Sequence, residues 1–212
     1  MQPDSAEDFY SSIDVSDDER RSFAAIDSVF VATAAHTNLV ARSTIPERWL
    51  RHYADSAQLW PLIPENARTL LDIGSGGGFP GLVIGALAEH RRPTLCCTLC
   101  ESIQKKAAFL REALKAGALT RTSVAALRVE SLQKAQHFDV ITARAVTALP
   151  KLLGLAIPHL SKGGTLLFPK GRRAQQELDE AREQWSLEVE TVPSTTDPEA
   201  SILVIRAPVR TL

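Results

Sequence analysis

Thr69-Leu70-Leu71-Asp72-Ile73-Gly74-Ser75-Gly76-Gly77-Gly78-Phe79-Pro80-Gly81 is the stretch whose reading decides the fold. Leu70, Leu71 and Ile73 form a short apolar run that stops at glycine, as a central strand of a parallel sheet does. Gly74, Gly76, Gly77 and Gly78 allow a tight turn and close approach of the backbone to a ligand. Pro80 suits the first turn of a helix, where its missing N–H costs nothing. A ligand is expected outside the carboxyl end of that strand, over the helix N-terminus.

The turn itself narrows the ligand. A dinucleotide fingerprint needs a third glycine or alanine where this chain has Phe79, which disfavours a nicotinamide coenzyme. The Lys-Ser/Thr pair of a phosphate-binding loop is absent. A strand ending in acid-x-Gly-x-Gly, here Asp72 to Gly76, resembles the class I S-adenosylmethionine (SAM) methyltransferases. In those enzymes the turn approaches the amino-acid end of the cofactor.

The chain of 212 residues is 44% hydrophobic and 23% charged, ordinary for one globular domain with a real core. No run is long enough for a membrane span and no signal-peptide pattern opens the chain, so the cytoplasm is the expected home; a monomer is expected, though nothing in the pattern fixes that. Residues 1–20 carry a net −6 against −1 for the whole chain, which leaves the rest at +5. A mildly basic body can meet a phosphate backbone. Cys96, Cys97 and Cys100 lie in an apolar run with no second pair to complete a zinc site, and read as buried thiols. No metal set emerges; His36, His90, His137 and His159 are isolated and read as surface or loop residues.

Residues 1–66 read as an N-terminal helical cap belonging to the same domain as residues 67–212. All 11 glycines fall from Gly74 onward, marking a change of architecture. The acidic head is expected to fray. Ser16 and Glu19 form a capping box, and Phe23, Ile26, Phe30 and Ala34 share one face of the helix that follows. Trp49, Tyr53 and Ala57 recur at helical spacing within a helix from about Pro46. From Thr69 onward strands and helices alternate. Strands are expected near Thr94–Cys100, Ser123–Leu127, Phe138–Ala143 and Thr165–Phe168, with a final pair near Leu187–Val192 and Ser201–Arg206. Ser102 is expected to cap a helix with Ile103, Ala107, Leu110 and Leu114 inward, and Thr147 to cap one that Pro158 ends. Residues 193–200 read as a plain surface loop. The pattern predicts a doubly wound, Rossmann-like α/β sheet.

Further candidates sit at the carboxyl ends of the other strands. Glu101, ending the second strand, stands where an acid can hold ribose hydroxyls, or simply cap the following helix from the surface. Val129 and Glu130 follow the third strand, where backbone N–H groups can meet an adenine edge. Arg144, after the fourth, can bind a carboxylate or a phosphate through paired N–H donors, or simply pair with an acid at the sheet rim. Lys170, Arg172 and Arg173 follow the fifth and can touch RNA phosphates. His52 and Asp55, three residues apart on one helix face, read as a structural pair pinning the cap across the cleft.

Together these residues resemble the ribosomal small-subunit methyltransferase G family, also called glucose-inhibited division protein B. The similarity runs from about Asn38 to Gly171 and includes Asn38-Leu39-Val40, Arg51-His52-x-x-Asp55-Ser56, the whole glycine stretch through Gly81, and Glu101-Ser102 with Lys105-Lys106. It also includes Arg128-Val129-Glu130, Ala143-Arg144-Ala145 and Lys170-Gly171. Val31-Ala32-Thr33 departs from the family, which usually carries Trp there. The resemblance implies a class I SAM-dependent methyltransferase with a helical cap. It implies SAM as cofactor, 16S rRNA or the small ribosomal subunit as partner, and methylation of one guanine at N7. It also implies Gly74, Phe79, Val129, Glu130 and Arg144 as cofactor contacts, beside Gly76, Gly78 and Glu101 from the reading above.

Guanine N7 carries no proton, so no acid–base pair is required and none is assigned. Asn/Asp-Pro-Pro-Tyr/Phe, expected for amino methylation of adenine, is absent after the fourth strand, and no cysteine follows proline as in cytosine C5 methylation. The rival readings are a SAM-dependent methyltransferase of another RNA, a protein or a small molecule, and a non-catalytic RNA-binding protein.

Overall fold

The computed structural model describes residues 4–133 and 135–211. Seven strands form one sheet in the order β3-β2-β1-β4-β5-β7-β6. They are β1 Thr69–Ile73, β2 Cys96–Cys100, β3 Thr122–Ala125, β4 Phe138–Ala143, β5 Leu160–Lys170, β6 Trp185–Pro193 and β7 Ser201–Arg210. The first five run parallel, and β7 enters antiparallel between β5 and β6. This is the doubly wound α/β sheet that the alternating pattern predicts, with a longer fifth strand that takes in Gly163 and Gly164.

The alternation of side chains explains why the central strands are apolar throughout. Leu71, Ile73, Ile141, Leu166 and Phe168 face one side, under α6 (Leu149–Ala156) and α7 (Ala174–Arg182). Leu70, Cys97, Val140 and Leu167 face the other with Ile84 and Ala88 of α4 (Gly81–Arg91). Cys97 and Cys100 are buried, and burial pushes each thiol up to about 12. Cys96 is exposed at the strand's start, so the expectation of three buried thiols fails there.

From Asp4 onward the acidic head is folded, not frayed as expected. It folds as α1 (Ala6–Ser12) behind a capping box made by Ser5 and Asp8. Phe9 and Tyr10 anchor it; Phe9 is fully buried and meets Phe23, Trp49 and Tyr53 at centroid distances of 5.2, 5.6 and 5.7 Å. Burying one such ring contributes about 1.5–3 kcal/mol, which outweighs the fraying tendency of a short helix. The Ser16–Glu19 box starts α2 (Asp17–Ala34), and Phe23, Ile26, Phe30 and Ala34 are its buried face. Glu19 is also buried and receives Arg91 at 2.5 Å, while Arg91 donates to the Ile13 and Asp14 carbonyls. The cap and α4 thus share one core and one ion pair.

Two expected caps are replaced by acids outside the helices they serve. The N-cap of α5 (Gln104–Ala116) is Ile103, which is exposed rather than inward; its N–H donates to Glu101 Oε1 at 2.7 Å, so Glu101 does the work expected of Ser102. Thr147 does not cap α6. The Leu149 N–H donates to Glu177 Oε2 of α7 at 2.8 Å. A short 3-10 turn, Ile157–His159, ends α6 at Pro158 as expected. His159 is buried with Nδ1 3.4 Å from the Gln136 carbonyl oxygen, not a surface residue. The segment Trp49–Ala54 is a π-helical turn running into α3 (Asp55–Ala57), where the sequence predicts ordinary helix.

Candidate active site

A cleft of about 890 Å³ opens at the carboxyl edge of β1, β4 and β5. The cap closes it with Leu39, Val40, Thr44, Arg51, His52 and Asp55. Its volume lies in the range of ligand sites, and its place is the crevice beside the topological switch point.

The glycine turn forms the β1 side. Gly76 has φ +53°, and a Cβ built on it would meet nothing closer than the Gly74 carbonyl oxygen at 3.6 Å. Its N–H donates to Glu101 Oε2 at 2.8 Å. Gly77 packs tightly on the cap, where a Cβ would lie 3.0 Å from Val40. Gly78 looks away from the cleft: a Cβ there would stand 2.2 Å from Leu82 of α4. Beneath the turn, Asp72 is wholly buried and accepts a hydrogen bond from the Thr142 hydroxyl at 2.8 Å. Burial lifts its carboxyl to about 6, although that hydrogen bond works against the rise.

Arg144, at the end of β4, reaches across to the cap. Its Nη1 donates to Asp55 Oδ2 at 2.8 Å and to the Arg51 carbonyl at 2.9 Å, and its Nη2 lies 3.0 Å from His52 Nδ1. The guanidinium carbon stands 5.5 Å from the Phe79 ring centroid. His52 stacks on Phe79 at 5.0 Å. A guanidinium only donates, so His52 Nδ1 must accept and the proton sits on Nε2. Nε2 is 2.8 Å from Thr44 Oγ1, whose own hydrogen goes to the Ala41 carbonyl at 2.7 Å. Each nitrogen and hydroxyl in this Arg144–His52–Thr44 series therefore has one consistent role. Burial, then the charges of Arg144 and Arg51, depress the imidazole to about 3. The sequence offered a cofactor arginine or an arginine paired to an acid; the structure shows the pair, in a side chain that also lines the cleft.

Of the predicted site residues, Gly74, Gly76, Phe79, Arg144 and Lys170 line this cleft, and Gly78, Glu101, Val129, Glu130, Arg172 and Arg173 do not. Glu101, Val129 and Glu130 stand over the ends of β2 and β3, beyond the glycine turn, with Glu101 and Val129 buried and Glu130 exposed. Lys170 is not a free surface cation: its side chain is 10% exposed and donates to Glu177 at 2.8 Å and to the Thr147 carbonyl at 3.2 Å. Arg172 and Arg173 are exposed, Arg172 pairing with Glu199 at 2.5 Å. Thr44, Val146, Glu177, Thr196, Asp197, Pro198 and Ala200 also line the cleft and were missed. Nothing local in the sequence marks them, because the fold brings them from separate elements.

The residues present fit a SAM-type ligand. Gly76 leaves open space where any side chain would intrude, and the turn lies over the start of α4. Gly74, Gly76, Phe79 and Arg144 would hold the amino-acid end, and Glu101, Val129 and Glu130 stand on the side where a nucleoside would extend. No helix among the described residues is long and apolar enough to cross a membrane.

Comparison with known proteins agrees. The chain is 49% identical over 170 residues to a ribosomal RNA small subunit methyltransferase G of Cereibacter sphaeroides, covering 80% of this chain and 82% of the relative. It is 44% identical over 198 residues to the protein of that name from Rhodospirillum centenum, covering 93% and 88%. Among solved structures, an O-methyltransferase from Bacillus cereus in complex with SAH has a TM-score of 0.57 at 16% identity, covering 87% of this chain and 91% of that one. The N-methyltransferase NodS from Bradyrhizobium japonicum has a TM-score of 0.56 at 17% identity, covering 85% and 99%. The profile of the rRNA small subunit methyltransferase G family matches residues 25–203, and the chain belongs to that family.

Proposed function

We propose that this protein, acting as a monomer in the cytoplasm, methylates N7 of one guanine in 16S rRNA. When bound, SAM supplies an electrophilic methyl carried on a sulfonium. This chain's residues bind, orient and exclude water. Arg144 holds an anionic group at the end of β4, fixed in direction by Asp55 and His52. Phe79 and the glycine turn shape the wall beside it. Glu101, at the end of β2, has oxygens that still have lone pairs for ribose hydroxyls beyond the two backbone N–H groups they accept.

The observation that carries the reading is that His52 has both nitrogens committed and a pKa of about 3. Of the three carboxylates that line the cleft, Asp55 and Glu177 are bound in ion pairs, and Asp197 stands on the loop wall away from the glycine turn. A cleft so arranged suits an acceptor with a ready in-plane lone pair and no proton to lose, as guanine N7 has. Rate enhancement then comes from alignment and from fixed charge around the reacting centre. Exposed Arg172 and Arg173, beyond the cleft rim, supply phosphate contacts.

The test is methyl transfer from labelled SAM to small ribosomal subunits, to free rRNA and to protein, with the modified nucleotide mapped. Label at N7 of a single guanine in 16S rRNA supports the proposal. Label only in protein, or on an amino group, defeats it.

A further inference from the structure

Residues 194–200, between β6 and β7, are not the plain surface loop that the sequence suggests. Thr196, Asp197, Pro198 and Ala200 form one wall of the cleft. The cap holds this wall from the opposite end of the chain. Gln58 Oε1 accepts from the Thr195 N–H at 2.9 Å and Gln58 Nε2 donates to Ser194 Oγ at 3.2 Å. Thr196 Oγ1 donates to Asp55 Oδ1 at 3.0 Å, while the other oxygen of Asp55 takes Arg144. One carboxylate thus ties the loop to the guanidinium.

The loop ends beside β5, since Ser201 pairs with Lys170. The glycine turn and Glu101 lie on the other side of Arg144, over β1 and β2. With the methyl donor on the glycine side, the space against the loop is left for the methyl acceptor. Three carboxylates line the cleft. Asp55 pairs with Arg144 and Glu177 with Lys170. Asp197 has no ion-pair partner among the described residues; its Oδ1 accepts only from the Glu199 N–H, at 2.9 Å. It is therefore the acceptor left over in a cleft otherwise lined by Arg51, Lys106, Arg144 and Lys170.

A guanine that turns N7 toward the methyl group has its 2-amino group on the far side of the ring and its N1–H beside that group, both away from the methyl donor. Both are donors, and an ionised carboxylate only accepts. Adenine would bring a lone pair at N1 to the same place. We propose that Asp197 reads the guanine's N–H donors, on a wall that Gln58 and Asp55 hold in position. This rests on the guanine-N7 reading above.

The test compares 16S rRNA carrying guanine or inosine, which lacks the 2-amino group, at the methylated position. Wild type should favour guanine by roughly tenfold in kcat/KM, the worth of a good base contact. Asp197→Ala should slow guanine methylation by a similar factor and treat the two bases alike within about twofold, with SAM affinity and melting temperature unchanged. Gln58→Ala should raise KM for RNA severalfold and leave kcat and SAM affinity in place. The proposal is overturned if Asp197→Ala keeps the preference for guanine, or if SAM affinity falls in step with activity. A wild-type protein inactive on rRNA defeats the functional reading itself; an active one with an indifferent Asp197→Ala defeats this proposal alone.

Discussion

Arg144 Nη2 donates to His52 Nδ1 at 3.0 Å, in a buried setting that, together with the Arg144 charge, holds the imidazole neutral. A protonated His52 would set two donors and two positive charges against each other. With the folded pKa near 3 and the unfolded one near 6.5, the neutral ring is the form that folding prefers. The stability it confers is whole above about pH 6.5 and is lost as pH falls toward 3, by about 2 kcal/mol at pH 5. Urea unfolding at pH 7.5 and pH 5 should therefore show a smaller acid loss in His52→Gln than in wild type. An equal loss in both proteins would contradict a depressed imidazole.

Asp72 has the opposite sign. Its carboxyl is raised to about 6 in the folded state, so ionisation costs stability at neutral pH, and wild type regains it as pH falls from 6 toward 4. Asp72→Asn keeps an acceptor for the Thr142 hydroxyl and sheds the charge. It should be more stable than wild type by up to about 3 kcal/mol at pH 7.5, with the gain gone by pH 4. Parallel melting curves across that range are the check.

The glycines of the turn divide by what surrounds them. Gly78→Ala places a methyl against Leu82 at a φ of +91°, and should cost about 2–4 kcal/mol of folding stability. Gly76→Ala meets open space and should cost only about 1–2 kcal/mol, yet weaken SAM by roughly tenfold because the methyl enters the ligand's room. Denaturation and SAM titration of both variants should give opposite rankings.

Lys170 and Arg172 were grouped by the sequence and are separated by the structure. Lys170→Ala leaves Glu177 of the α6 cap without its cation and should lose about 1–3 kcal/mol of stability. Arg172→Ala, with a side chain 78% exposed, should melt within about 0.5 kcal/mol of wild type. If it meets a phosphate, RNA binding should become less salt-dependent, by about one counterion in slope. Binding measured at several salt concentrations separates the two.

The sheet and its glycine turn were legible because they follow from local rules: apolar runs, turn residues and periodicity. The Ser16–Glu19 box and the buried face of α2 were legible for the same reason. The cap of α5 was within reach too, since Glu101 stands two residues from Ile103, but the cap of α6 was not. Glu177 reaches Leu149 across 28 residues, and no local window contains both. The loop wall escaped likewise, since Gln58 meets Ser194 across 136 residues. The fold of the head was not legible, because its acids predict fraying and its two aromatic residues find their partners far along the chain. Phe9 needs Trp49 and Tyr53 to become an anchor, and only the tertiary fold supplies them.

The π-helical turn at Trp49–Ala54 carries one residue more than an α-helical path would need. Each residue of an α-helix advances the azimuth by about 100°. Wound instead as regular α-helix with no residue removed, the segment would turn roughly 100° further between Trp49 and Asp55. Either the aromatic anchor or the acid that grips Arg144 would then point into solvent. The wider turn is thus what lets one short helix serve two masters, an oily interior behind and a charged opening in front.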